Sequence, residues 1–251
     1  MDFTVLTIFP GMFPGPLAYG VVGRGLARGL FGLNVRDLRD WAPPPHRQVD
    51  DAPFGGGAGM VLKPEPLFAA VEELRAEVPG AATRTILLDP GGRRFDRDVA
   101  NELARLDRVI LVCGRYEGID ERVKQAHVDV EISLGDYVLS GGEVAAMAVM
   151  EATSRLLPGV LGNAASVDEE SFAAGLLEYP QYTRPVEFEG REVPEILRSG
   201  DHAKIRDWRR AQALWRTRLR RPDLFASLAL EPADERLMER YPPEGGAAPR
   251  S

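Results

Sequence analysis

Two short stretches hold the residue types that could do chemistry. Residues 113–123 read CGRYEGIDERV, and residues 131–143 read EISLGDYVLSGGE. Each is bound to a run of β-forming residues, and together they set Arg, Tyr, Glu and Asp among glycines within about thirty positions. Glycine lets backbone N–H and C=O groups approach a ligand with no Cβ in the way. Loops of this kind at strand tips are where α/β proteins bind small molecules. The competing reading is a pair of ordinary turns, which rarely need this mixture of side chains.

Other candidates stand along the chain. GGGAGM at 55–60, beside Asp50, Asp51 and Phe54, could admit a planar ring or a phosphate, or be a plain flexible loop. Arg155 falls near the end of an apolar helical stretch, where the helix dipole favours a cation and where a substrate could also meet it. Asp168, Glu169 and Glu170 form an acidic cluster. Such clusters are usually solvated, but one carboxylate could act as a general base if closure brings it to a proton. Familiar catalytic signatures are absent: there is no Gly-Lys dipeptide for a P-loop, no HExxH and no GxSxG. Gly23, Gly25 and Gly29 imitate a dinucleotide fingerprint with the wrong spacing, and read as a glycine-tolerant helix. A nicotinamide-dependent dehydrogenase would rest on that pattern alone.

Composition narrows the classes. Cys113 is the single cysteine, so there is no intramolecular disulfide and no Cys-rich zinc site, and three scattered histidines argue against a His-based one. The start has no basic and apolar leader, and no apolar run approaches about 18 residues, so a soluble cytoplasmic protein with no membrane partner is expected. The net charge of −7 conceals a basic segment. Nine Lys and Arg residues stand between Arg198 and Arg221, opposed only by Asp201 and Asp207. That segment is either a solvated helix surface or a phosphate-binding face.

These residues need elements to position them. Strands are expected at 2–9, 33–39, 83–90, 108–114 and 128–134, and helices at 16–30, 65–78, 96–106 and 143–157. A long irregular stretch fills 40–64, and a turn joins the last two strands. The order is β-α-β-loop-α-β-α-β-turn-β-α, which predicts an α/β fold with a mostly parallel sheet and helices on both faces. The division expected is a domain over 1–158, a flexible linker over 159–172, and a small, mainly helical domain over 173–251. In the latter, Ile205, Trp208, Ala211, Leu214, Trp215 and Leu219 make one apolar stripe on a helix over 201–220. A further helix is expected at 232–240, and the tail PPEGGAAPRS reads as disordered.

GGGAGM, CGRYEGIDERV, SLGDYVLSGGE, PGVLGN, LLEYPQYTRP and GDHAKIRDWRR, in that order over about residues 1–230, resemble the bacterial tRNA (guanine-N1)-methyltransferase TrmD family. That family belongs to the SPOUT methyltransferases. The resemblance implies a trefoil knot in the cofactor domain, and methylation of N1 of the guanine at position 37 of tRNA, beside the anticodon. It implies S-adenosylmethionine as cofactor, held by Pro90, by Gly114, Tyr116, Glu117 and Gly118, and by Leu134, Gly135, Asp136, Tyr137, Val138, Leu139, Gly141 and Gly142. Magnesium is a further candidate, for which the sequence offers no ligand set. The family is a homodimer whose active site is shared between subunits. Arg155 matches the arginine that stabilises charge on the base oxygen. The family's general base is an Asp directly before Ser-Phe, where this chain has Glu170-Ser171-Phe172, so Glu170 takes the role with Asp168 as the other candidate. The basic helix, with His202, Lys204, Arg206, Arg209, Arg210 and Arg216, joins Tyr182 and Arg184 as the expected tRNA grip. A related SPOUT enzyme with another RNA target, and a non-catalytic RNA- or cofactor-binding module, remain alternatives.

Overall fold

A computed structural model describes residues 1–162 and 170–244. Asp168 lies outside the described residues, as do the rest of 163–169 in the expected linker and the tail from 245. The chain divides into two compact units, Met1–Ala164 and Ala165–Ser251.

In the first unit, β1 (Asp2–Thr7), α1 (Gly20–Ala27), β2 (Gly32–Asp37), the hairpin β3 (Asp50–Asp51) and β4 (Val61–Leu62), α2 (Pro64–Ala76), β5 (Thr83–Arg94), α3 (Arg97–Ala104), β6 (Arg108–Cys113), α4 (Glu121–His127), β7 (Val130–Ser133) and α5 (Glu143–Ser154) follow in order. Five strands form one sheet in the order β2-β1-β6-β5-β7, and every pairing is parallel. This is the expected α/β arrangement. Apolar β-branched residues dominate the central strands because both sheet faces are covered. All six residues of β6 are buried. One face packs Phe3, Val5, Ile86, Val109 and Leu111 against α1, α3 and α5. The other packs Leu6, Leu87 and Val112 against α2 and α4. Each of these large side chains contributes about 1.5–3 kcal/mol by leaving water.

Three local differences from expectation have physical reasons. The turn expected before β7 contains α4, a helix of only seven residues with one buried side chain, Val123. It is too short to display a period; its start is fixed by Asp120, whose side chain accepts from the Arg122 N–H. The irregular 40–64 stretch includes the β3–β4 hairpin. β5 continues to Arg94, but its pairing with β7 breaks between Leu88 and Arg93. Gly23 and Gly25 lie in helix α1, as expected, and Gly29 follows its C-terminal cap. A Cβ on Gly23 would meet the Ala18 carbonyl oxygen at 2.2 Å, so this glycine serves close packing rather than phosphate binding.

The second unit holds a hairpin, β8 (Glu187–Phe188) with β9 (Arg191–Glu192), and four helices among the described residues: α6 (Glu195–Arg198), α7 (His202–Arg220), α8 (Pro222–Ala226) and α9 (Pro232–Arg240). Its core joins Leu176, Ala213, Leu214 and Met238. The stripe on α7 is partly revised. Trp208, Ala211 and Leu214 are buried, but Leu219 is 47% exposed, in the helix's last turn. Two polar residues take the buried face because they have partners. Gln212 donates to the Pro242 carbonyl and accepts from the Glu244 N–H, while the Thr217 hydroxyl accepts from the Leu177 N–H.

Asp234 ties α9 to α7 through two 2.9 Å bonds from Arg210. That guanidinium, against the opposing effect of burial, holds the Asp234 carboxyl below its ordinary value. A folded-state value lowered in this way stabilises above the unfolded value, about 3.9, and the contribution is lost as pH falls through the folded one. Asp234→Asn is therefore expected to cost about 1–2 kcal/mol at pH 7. The gap from the parent protein should close as pH drops below about 4. Urea unfolding followed by tryptophan fluorescence checks this, since Trp208 and Trp215 both lie on α7; a gap that stays constant with pH contradicts it.

Candidate active site

The two glycine-bearing loops meet in the first unit. A cleft opens where β5 breaks from its ladder and beyond the carboxyl tips of β6 and β7, the edge where parallel sheets bind ligands. Its floor is apolar: Leu87, Leu88, Ile119, Ile132, Leu134, Leu139 and Ala145. Around it stand the glycine-bearing segments 114–118 and 133–142, with Asp89, Arg115, Glu117 and Ser133 among the polar residues. Gly142 lies so close to β6 that a Cβ would stand 2.8 Å from the Cys113 Cα. Its N–H donates to the Gly114 carbonyl at 2.9 Å, which joins the two loops directly. The GGGAGM stretch borders the first of these loops: the Glu117 N–H donates to the Met60 carbonyl, and the Leu62 N–H to the Gly118 carbonyl, both at 3.0 Å.

A buried ion pair fixes this arrangement. Glu143, the first residue of α5, is fully buried. Its carboxylate accepts from the Thr7 hydroxyl at 2.7 Å and lies 2.8 Å from an Arg115 guanidinium nitrogen. Arg115 also donates to the Ser140 carbonyl at 3.2 Å and stacks over the Phe9 ring at 4.4 Å. Beneath the cleft, burial pushes the Cys113 thiol well above its ordinary value; the Glu143 charge adds to this and Arg115 opposes it. That disfavours the thiolate a nucleophile would need.

Twelve of the thirteen expected cofactor residues line the cleft: Pro90, Gly114, Tyr116, Glu117, Gly118, Leu134, Gly135, Tyr137, Val138, Leu139, Gly141 and Gly142. Asp136 does not. The set suits a flat purine and a sulfonium-bearing chain, with apolar side chains to pack on and glycine backbone for hydrogen bonds. Sequence reasoning overlooked Asp89 in the cleft wall and the Arg115–Glu143 pair. Neither is signalled by spacing, since the pair bridges 28 positions. Among the described residues, no group of His, Cys, Asp or Glu is placed to hold a metal ion, and no helix is long and apolar enough to cross a membrane.

The other expected residues lie elsewhere. Arg155 caps the C-terminal end of α5. Glu143, at the cleft, begins the same helix, which puts the two backbones about 18 Å apart along its axis. Glu170 belongs to the second unit, where it borders a cleft with Tyr179, Arg206, Arg209 and Arg210. It starts a tight turn: the Glu178 N–H donates to Ser171 Oγ at 3.0 Å, and the Phe172 N–H to the Leu176 carbonyl at 2.6 Å. On α7, His202, Lys204 and Arg206 are exposed, as is Arg184 before it, and Tyr182 is 42% exposed. Burial raises the Tyr182 hydroxyl above its ordinary value; Glu244 adds to this and Arg216 opposes it. Arg209 stacks on Tyr179 at 4.7 Å, Arg210 is engaged by Asp234, and Arg216 reaches the Glu178 carbonyl at 3.4 Å.

Comparison with known proteins places these features in context. The family model described as tRNA (Guanine-1)-methyltransferase TrmD matches residues 1–227. A tRNA (guanine-N(1)-)-methyltransferase of Geobacter sulfurreducens is 53% identical, covering 98% of this chain and 99% of its own. One from Anaeromyxobacter sp. (strain K) is 55% identical over 95% of this chain and 96% of its own. One from Myxococcus xanthus is 54% identical over 94% and 95%.

Glu143→Gln is expected to destabilise the protein by about 3 kcal/mol, because it leaves Arg115 without its counter-charge. Removing both charges, with Glu143→Gln and Arg115→Met together, should recover part of that loss. Thermal and urea unfolding of the three variants decide the matter; a double variant no more stable than the single one argues against the pair as the anchor.

Proposed function

The chain belongs to the tRNA (guanine-1)-methyltransferase TrmD family, and from that premise we propose that it methylates N1 of the guanine at position 37 of tRNA, beside the anticodon. The observation that carries this reading is the glycine-lined cleft at the tips of β5, β6 and β7. Family membership implies S-adenosylmethionine as donor, and the expected cofactor loops line that cleft. When bound, S-adenosylmethionine supplies an electrophilic methyl group on a sulfonium. Positioning by the cleft then supplies much of the acceleration.

The rest of the chemistry concerns the guanine. Its N1 carries a proton and is a poor nucleophile. Glu170 takes that proton on its carboxylate, and the negative charge left on the base, drawn towards the base oxygen, is stabilised by the Arg155 guanidinium. Asp168 is the second candidate for the base. Arg155 and the cleft lie at opposite ends of α5, farther apart than an arginine side chain spans, which supports a homodimer with each active site shared between subunits. Exposed Tyr137, Val138 and Val144 beside the cleft offer apolar surface for such a partner.

In this reading residues 1–158 are a knotted donor-binding domain, 159–172 a linker, and 173–251 the tRNA-binding domain of a cytoplasmic enzyme. The exposed His202, Lys204, Arg206 and Arg184 contact phosphates, with Tyr182, Arg209, Arg210 and Arg216 beside them. Binding then weakens steeply with salt. Assays with and without magnesium ask whether a divalent ion takes part.

The test is methyl transfer from labelled S-adenosylmethionine to tRNA transcripts carrying guanine or adenine at position 37, with products identified by mass. Only the guanine transcript should yield product, as 1-methylguanosine; equal transfer to both moves the target elsewhere, and none removes the reading. Glu170→Gln and Arg155→Ala should each lower kcat by about 10²–10³-fold. If Asp168→Asn is inactive while Glu170→Gln is not, the base is Asp168. Mixing Arg155→Ala chains with Gly142→Val chains should restore part of the activity if the site is shared.

A further inference from the structure

β5 does not end cleanly where the cleft begins. Its pairing with β7 breaks between Leu88 and Arg93, so residues 89–92 bow out and bring Asp89 and Pro90 into the cleft wall. A bow that has left its ladder must be held by something else. Two contacts hold it. Gly92 lies against the Glu131–Ile132 peptide so closely that a Cβ would come within 2.4 Å of it. The other contact is Lys124 of α4. Its Nζ stands 2.9 Å from Asp89 Oδ2 and 3.1 Å from Glu131 Oε2. The remaining carboxylate oxygen of Asp89 accepts from the Gly91 N–H at 2.8 Å.

Lys124 itself does not line the cleft. Its side chain is 19% exposed, against 23% for Asp89 and 34% for Glu131, so water screens this cluster less than a surface pair. Burial alone pushes the Asp89 carboxyl up and the Lys124 ammonium down. The hydrogen bonds and charges between them outweigh it, leaving the carboxyl below its ordinary value and the ammonium above. The cluster therefore ties together three segments: the bow, α4 and β7.

We propose that Lys124 is a positioning residue for methyl-donor binding: it holds the Asp89 carboxylate, and through it the Pro90 bow, in the shape against which the donor lies. This rests on the reading of the cleft as the donor site. Removing Lys124 leaves the cleft's own lining residues in place but frees one wall. Donor affinity should suffer, while tRNA binding and the chemical step should not.

Calorimetric titration with S-adenosylmethionine, paired with steady-state kinetics and thermal unfolding of the donor-free protein, tests this. Lys124→Met should weaken donor binding and raise donor KM roughly tenfold, with kcat at saturating donor and KM for tRNA changed less than about twofold. Lys124→Arg, which can still reach both carboxylates, should restore most of the loss. Unchanged donor affinity in Lys124→Met overturns the proposal, as does a fall in kcat equal to the rise in KM, or equal damage in the Met and Arg variants. If Lys124→Met does not fold, Asp89→Asn decides instead: it keeps the side chain's shape, loses the charge facing Lys124, and must lose donor affinity selectively. Parent protein that fails to bind S-adenosylmethionine would remove the donor-site reading itself, a result distinct from any failure confined to Lys124.

Discussion

A carboxylate shut away from water dictates how the cleft is built. Glu143 is fully buried, and an unpaired charge there would cost several kcal/mol. Its partners come from three places: Thr7 at the end of β1, Arg115 just beyond β6, and the N-terminus of α5, whose dipole favours an anion. Satisfying this one group therefore sets the relative positions of a strand end, a loop and a helix. Arg115 extends the constraint to the second loop through the Ser140 carbonyl and to the segment after β1 through the Phe9 ring. Apolar side chains of similar volume could fill the same space, but would not fix the direction of the loops with hydrogen bonds.

The parallel sheet makes that constraint useful. Parallel strands run their carboxyl ends to one edge, so the bow within β5 and the loops after β6 and β7 meet side by side. Helices on both faces bury the strands and leave the loops as the free surface. The loop after β6 is braced again by the 60–62 segment through backbone bonds on both sides of Glu117. The cleft floor thus joins strand residues Leu87, Leu88 and Ile132 to apolar side chains of the loops and of α5.

Legibility in the sequence followed the range of the interaction. The parallel sheet could be read because alternating strand and helix patterns are local, and the cleft loops because glycines beside polar residues are local. α4 was missed because a seven-residue helix with one buried side chain has no period to detect. The bow in β5 was missed because it depends on how residues 89–92 meet Glu131 and Ile132, about forty positions away in the chain. The pairings of Glu143 with Arg115 and Asp89 with Lys124 join residues 28 and 35 positions apart, with nothing in the sequence to couple them. On α7 the apolar stripe was legible, but Gln212 and Thr217 hold buried positions through backbone partners that a polarity pattern does not display.

The site of Glu170 bears on its difference from the family's Asp. A longer side chain in a loose linker could be accommodated by shifting the backbone. Glu170 instead heads a turn closed by bonds at Ser171 and Phe172, and that turn is fastened to α7 where the Leu177 N–H meets Thr217. The backbone has little room to retreat, so the extra methylene must be taken up by the side chain's own rotamers. Each added rotor costs entropy to order but adds reach. In the proposed mechanism that trade suits a base which must meet its proton only when tRNA is bound. In that proposal the cleft is preorganised by buried charge, while the two groups assigned to the guanine, Arg155 at the far end of α5 and Glu170 in the second unit, do not line it. Under the proposed mechanism, a donor bound there would meet its base and cation only once the nucleic acid brings them together.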